Sequence, residues 1–139
     1  MIKKLLFKTN PDNSILSDLS LTVLRVTAGL LMAGLHGLGK VPPGEKLIDG
    51  VANLGFPEPV LFAWAAALSE LVGGILLAAG FMTRLSALFF GFTMFVAAFG
   101  RHLNDPWDVK ELSVLYLAIA LIFVFKGSGR FSIDHLIKA

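Results

Sequence analysis

Four apolar runs, residues 19–38, 60–82, 85–99 and 112–125, dominate the chain, and the polar residues cluster between them instead of alternating. A helix rises about 1.5 Å per residue and the hydrocarbon core of a bilayer is about 30 Å thick, so the first two runs are long enough to cross it. The last two are short. They cross only by borrowing Arg101 and His102 for the third and Lys110 and Glu111 for the fourth, side chains whose heads reach the interface. Pro42, Pro43 and Gly44 end the first run, and Pro57 and Pro59 fix the entry to the second. The loop between them, "GEKLIDGVANLGFP", carries Leu47, Ile48, Val51, Ala52 and Leu54 at spacings that predict a short helix on the membrane surface. The other turns are tight, at Thr83 with Arg84 and at residues 104–108. "FSIDHLIKA" predicts a second short surface helix with Ser132 near its start.

The pattern predicts an all-α integral membrane four-helix bundle: an N-terminal arm over residues 1–18, a four-span bundle over 19–126 and a C-terminal segment over 127–139. The arm has no signal-peptide apolar core and no small-residue cleavage pattern. Its Leu5, Leu6 and Phe7 lie between Lys3, Lys4 and Lys8, as suits either an amphipathic turn on the membrane or a disordered tail.

Composition changes the picture in three ways. Hydrophobic residues make up 55% of the chain against 16% charged, and the mean hydropathy is +0.76, so lipid is the solvent for most side chains. The net charge of +2 sits on basic residues scattered between apolar runs, without the basic, aromatic-interleaved stripe of a nucleic-acid binder. Cysteine is absent, which excludes disulfides, thiolate metal ligands, iron–sulfur clusters and thiol exchange on this chain alone.

Lys and Arg also set an orientation. Lys3, Lys4, Lys8, Arg84, Lys126, Arg130 and Lys138 fall on one side, and Lys40, Lys46, Arg101 and Lys110 on the other. Basic residues favour the cytoplasmic face, so both termini are expected inside the cell. Glu45, Asp49, Glu58, Asp105 and Asp108 are then outside, and Trp64 and Trp107 fall at the outer level, where indole rings anchor helices.

Ionisable residues inside a span cost about 2.5 to 3.5 kcal/mol each near its centre, so each needs a partner or a purpose. Arg25, His36 and Glu70 are the three to explain. Measured from the outer ends of the runs, Glu70 lies about 15 Å deep, Arg25 about 20 Å and His36 about 5 Å, which makes Arg25 and Glu70 the expected buried ion pair. The pair is either a structural pin for helix register, a titrating group that exchanges protons with a reduced quinone or a transported solute, or a carboxylate facing a wet cavity. Gly29, Ala33 and Gly37, four apart, and the Gly73 and Gly74 pair predict close helix approach.

His36 stands among Gly34, Gly37 and Gly39, where a ring nitrogen can meet a quinone carbonyl, a metal, a carboxylate or simply a loop carbonyl. Lys40, Arg101 and His102 reach the same face and are candidate contacts. Two histidines with Glu111 are compatible with a metal, but their spacing follows no ligand motif and no metal is expected. Arg84 and Arg130 are candidate lipid or cytoplasmic contacts, and Arg84 is expected either to bind lipid phosphate or to cap the end of the second span.

"LRVTAGLLMAGLHGLGKV", "LSELVGGILLAAGFMTRLSAL" and "GSGRFSID" resemble, in order and spacing, three recurrent motifs of the DoxX family of small four-helix bacterial membrane proteins. The resemblance runs from about Leu19 to Asp134 and maps the family's polar positions onto Arg25, His36, Lys40, Glu70, Arg84 and Arg130. It implies a place in the bacterial inner membrane and an association with membrane oxidoreductase systems, quinone-linked ones among them. The expected function is therefore an accessory subunit of a membrane oxidoreductase or respiratory system that contacts quinone or partner redox proteins. Its expected partners are lipid, other membrane or redox subunits, or copies of itself. The alternative is a small-solute carrier or channel, which four short spans permit only as an oligomer. An enzyme acting unaided is disfavoured, since no nucleophile, phosphate loop, metal motif or thiol pair is present.

Overall fold

Ser14 starts the first helix: its Oγ accepts the Ser17 N–H at 3.1 Å, satisfying one of the donors that a helix start leaves unpaired. The computed structural model describes residues 14–138, and the lysine-flanked arm expected at Lys3, Lys4 and Lys8 lies outside them. Helix α1 (Ile15–Leu31) begins about a turn before the apolar run and continues through a widened π-helical turn (Met32–Gly37) and a tight turn (Leu38–Lys40). Then come α2 (Glu45–Asn53), α3 (Pro59–Ala79), α4 (Thr83–Val96, extended by a second π-helical turn, Ala97–Arg101), α5 (Trp107–Lys126) and α6 (Ile133–Lys138). No strand occurs among the described residues.

Among the described residues three helices are long and apolar enough to cross a membrane: Ile15–Lys40, Pro59–Ala79 and Thr83–Arg101. Helix α5 has the length, at 20 residues, but carries Asp108, Lys110 and Glu111 in its first turns and Lys126 at its end. The surface helix expected in the first loop is α2, packed against α3, and the C-terminal one is α6, where Ser132 Oγ accepts the His135 N–H at 3.2 Å.

Helices α1, α3, α4 and α5 all contribute to the core, which joins Ala28 and Met32 to Leu77, Phe90, Met94, Tyr116 and Phe123. Neighbours pack in the order α1, α3, α4, α5, and α1 barely touches α5. Outside the core the large side chains point away: Leu35 is 73% exposed and Phe125 77%. Lipid removes the cost that such a surface would carry in water.

Glycine sets how closely α1 meets α3. A Cβ at Gly29 would stand 2.5 Å from Gly74 O, and one at Gly37 would stand 2.5 Å from Leu71 Cα. Gly29 thus lies against Ala78, Ala33 against Gly74 and Gly37 against Leu71, an antiparallel contact of the small-residue kind expected from the four-residue spacing. This register staggers the two helices. Residue 38 comes level with residue 70 rather than 60, so α3 overshoots the end of α1 by about 15 Å.

Candidate functional site

The stagger decides which charges meet. Lys40, less than a turn past Gly37, comes down beside the middle of α3, and its Nζ donates to both carboxylate oxygens of Glu70 at 2.6 and 2.8 Å. The Glu70 side chain is 4% exposed, whereas that of Lys40 is 38% exposed. The expected pair of Glu70 with Arg25 is therefore replaced by Glu70 with Lys40. Depths counted from the ends of the apolar runs assume helices that start level, and these do not.

Arg25 instead lies at the opposite end of α3. Its Nη1 donates to Leu77 O (3.0 Å) and Ala78 O (2.7 Å), and its Nη2 donates to Phe131 O (2.7 Å). The side chain is 1% exposed, and Asp134 lies close enough to act on it electrostatically. Arg25 thus performs the capping of the second apolar run that was expected of Arg84. Gly80 closes α3 in the left-handed conformation at φ 69°, and a Cβ there would run into Arg25 Nη1. Arg84 caps a different helix, reaching Phe125 O at the end of α5 (3.4 Å), because the start of α4 lies beside that end in an antiparallel pair.

The "GSGRFSID" segment completes this end. Arg130 Nε meets Asp18 Oδ2 at 2.9 Å, tying the segment to the first turn of α1. The Asp134 carboxylate accepts the N–H groups of Met82 (2.8 Å) and Thr83 (2.9 Å) and so caps α4, while its own N–H donates to Gly80 O (2.8 Å). Nothing in a sequence marks which carbonyls or N–H groups such residues will satisfy.

His36 lies in the π-helical turn, a helix form frequent at functional sites, about one turn from Lys40. Its ring meets Tyr116 of α5 edge-on, centroids 6.2 Å apart, and Tyr116 meets Phe90 in the same manner at 5.7 Å. A Cβ at Gly39, three residues on and on the same side, would meet nothing within 4 Å, so the helix surface below His36 is open. Tyr116 was not singled out from the sequence. A lone tyrosine inside an apolar run is ordinary, and only its position opposite His36 gives it significance.

The remaining candidates do not converge on this group. His102 Nδ1 pairs with Asp105 Oδ2 at 2.7 Å, and Arg101 lies beside Gly50 of α2. Trp64 and Trp107 are both exposed, and Lys110 stands 4.8 Å over the Trp107 ring. Among the described residues no three His, Asp or Glu side chains gather as metal ligands would.

The arrangement can do two things chemically. A buried carboxylate held by one partly exposed ammonium can change its partner, because a single side-chain movement uncovers it. An imidazole beside a phenol, at an open helix surface, can hydrogen-bond a carbonyl-bearing ring.

Comparison with known proteins bears on which of these matters. The DoxX family model matches residues 20–103. The chain is similar to "Inner membrane protein YphA" of Escherichia coli (strain K12), 32% identical, covering 83% of this chain and 88% of that protein. It is also similar to "Inner membrane protein YqjF" of the same strain, 30% identical, covering 88% and 95%. A third relative, "Putative oxidoreductase CatD" of Bacillus subtilis (strain 168), is 27% identical over 86% of this chain and 88% of its own length. No solved structure matches.

Proposed function

The chain belongs to the DoxX family of membrane proteins, and from that premise we propose that it is an accessory subunit of a membrane oxidoreductase system in the bacterial inner membrane, contacting quinone or a partner redox protein. The observation that carries this reading is the group at the far end of α1, where His36 faces Tyr116 one turn from the Lys40–Glu70 pair. The name of the Bacillus relative, an oxidoreductase, supports the redox association, and those of the Escherichia relatives, inner membrane proteins, support the compartment.

In this reading α5 is a fourth crossing, both termini face the cytoplasm, and the His36 end faces outward. The length of α5 and its share of the core support the crossing, and the excess of Lys and Arg at the opposite end supports the orientation. A quinone is compatible with this group: His36, held edge-on by the buried Tyr116 ring, would donate to or accept from a ring carbonyl, with Gly39 leaving the approach open. A bound quinone supplies electron and proton transfer. The chain's own contribution is to orient the ring and to keep a carboxylate, Glu70, within reach of a side chain that water also reaches.

Extraction of the protein in mild detergent, with mass spectrometry of everything that co-elutes, tests the proposal. Redox subunits or quinone are expected, and His36→Ala or Glu70→Gln should reduce them. A homo-oligomer carrying neither would overturn the accessory-subunit reading in favour of a carrier.

A further inference from the structure

At the end of the molecule opposite His36, between the start of α4, the exit of α5 and the start of α6, lies an open pocket of about 520 Å³. Arg84, Lys126 and Arg130 line it together with His135, facing Asp18 and Asp134. Asp18 is paired with Arg130 and Asp134 accepts the N–H groups of Met82 and Thr83, and three cationic side chains against two carboxylates leave the pocket with a small net positive charge. Thr83, which is 1% exposed, is part of its wall, and the Thr83 hydroxyl is buried without a hydrogen-bond partner.

The pocket does not stand alone. Lys126 also lines an apolar groove of about 620 Å³ formed with Ser20, Leu21, Leu24, Ile122 and Phe125. This groove is the seam where α1 and α5 scarcely touch, and it continues along α1 past Val23 to Thr27. A cation-lined pocket joined at a lysine to an apolar channel running along the helices has the shape and polarity of a phospholipid. Its walls are the surface of α1 and the last turns of α5, where an acyl chain entering from the interface would lie.

We propose that this continuous site binds one anionic phospholipid of the adjacent leaflet, its phosphate among Arg84, Lys126 and Arg130 and one acyl chain in the groove between α1 and α5. The site is independent of the redox reading, since none of its residues belongs to the His36 group. The bound lipid fills a seam that the helices leave open and joins the exit of α5 to α1.

Native mass spectrometry of the full chain, purified in detergent and stripped of lipid, tests this with phosphatidylglycerol, phosphatidylcholine and glycerol 3-phosphate as probes. Phosphatidylglycerol should be retained as a single adduct at least about tenfold more tightly than phosphatidylcholine, from the surface attraction of two or three cations. Arg84→Gln and Lys126→Gln should each weaken that adduct about fivefold. Arg84 also caps α5, so a second variant leaves the cations alone: Ser20→Trp fills the groove and should displace phosphatidylglycerol while the thermal midpoint in lipid-free detergent holds. Equal retention of both lipids would overturn the proposal. Binding of glycerol 3-phosphate as tight as that of phosphatidylglycerol, or a Ser20→Trp variant that keeps the lipid, would also overturn it, by showing a site for a free anion with no use for the groove.

Discussion

The two ends of the molecule bury charge in opposite ways. At the end holding the C-terminal segment, Arg25 donates through both Nη atoms to three backbone carbonyls from two parts of the chain, with its Nε buried and unpaired, and Asp134 accepts two backbone N–H groups. Backbone groups at helix ends cannot turn away, so these charges are fixed once the fold forms. At the His36 end, Glu70 rests on one flexible lysine that is itself partly exposed. A rotamer change in Lys40 would uncover it. Burial alone therefore does not separate a fixed charge from a releasable one; the number and kind of partners does.

The largest expected effect comes from Arg25→Ala, which leaves Leu77 O, Ala78 O and Phe131 O without their charged donor. Hydrogen bonds to charged groups are worth about 1.5 to 3 kcal/mol each, so the loss should exceed about 4 kcal/mol and the variant should not accumulate in the membrane. Membrane-fraction yield and thermal unfolding in detergent measure it. A normal yield would sink the view that this end is the molecule's lock.

Next in size is the opposite end. Lys40→Leu alone strands a buried carboxylate, at about 3 to 5 kcal/mol, whereas Lys40→Leu with Glu70→Leu should recover most of that loss. Arg25 offers no such rescue, because its partners are backbone. A double-mutant cycle in detergent decides: if the double variant is as unstable as the single one, Glu70 has partners besides Lys40, and the contrast between the ends disappears.

Between these ends the glycine seam makes a graded test. Gly29→Ala places a Cβ 2.5 Å from Gly74 O and should cost about 1 to 3 kcal/mol. Gly34→Ala on the same helix meets nothing within 4 Å and should be neutral or slightly stabilising. Since the chain has no cysteine, a pair introduced at positions 33 and 74, where a Cβ on residue 74 stands 3.1 Å from Ala33 Cβ, can report the spacing of α1 and α3 by cross-linking.

The sequence exposed the helices because apolar length is a direct measure of bilayer thickness, and it exposed Arg25 and Glu70 because charge is costly in lipid. It hid their partners. Lys40 reads as the polar end of its run, and nothing in the run shows that α3 extends well past it; that offset is set by where Gly29, Ala33 and Gly37 find backbone to lie against. The same stagger frees Arg25 from Glu70 and leaves it to cap α3, one of the two roles expected of Arg84. Asp18 escaped notice because the apolar pattern ends the arm at residue 18 and so leaves it outside the first helix, and its pairing with Arg130 joins residues at opposite ends of the sequence.

The smallest effect sharpens the account of the fixed end. Met82 precedes α4 in the left-handed conformation, φ 49°, which costs a side-chain-bearing residue roughly 1 kcal/mol or more. Asp134 offsets that cost by accepting the N–H groups of Met82 and Thr83. Asp134→Ala should therefore lower stability by about 0.5 to 2 kcal/mol, the ordinary worth of a helix cap. Met82→Gly removes the strain but not the bonds, and should raise stability by several tenths of a kcal/mol. Combined, the two should leave a net loss smaller than that of Asp134→Ala alone by those several tenths of a kcal/mol, as read from thermal midpoints in one detergent. A Met82→Gly variant that instead destabilises as much as Asp134→Ala would mean that the Met82 side chain, which is 46% exposed, contributes more packing against its neighbours than its backbone loses to strain.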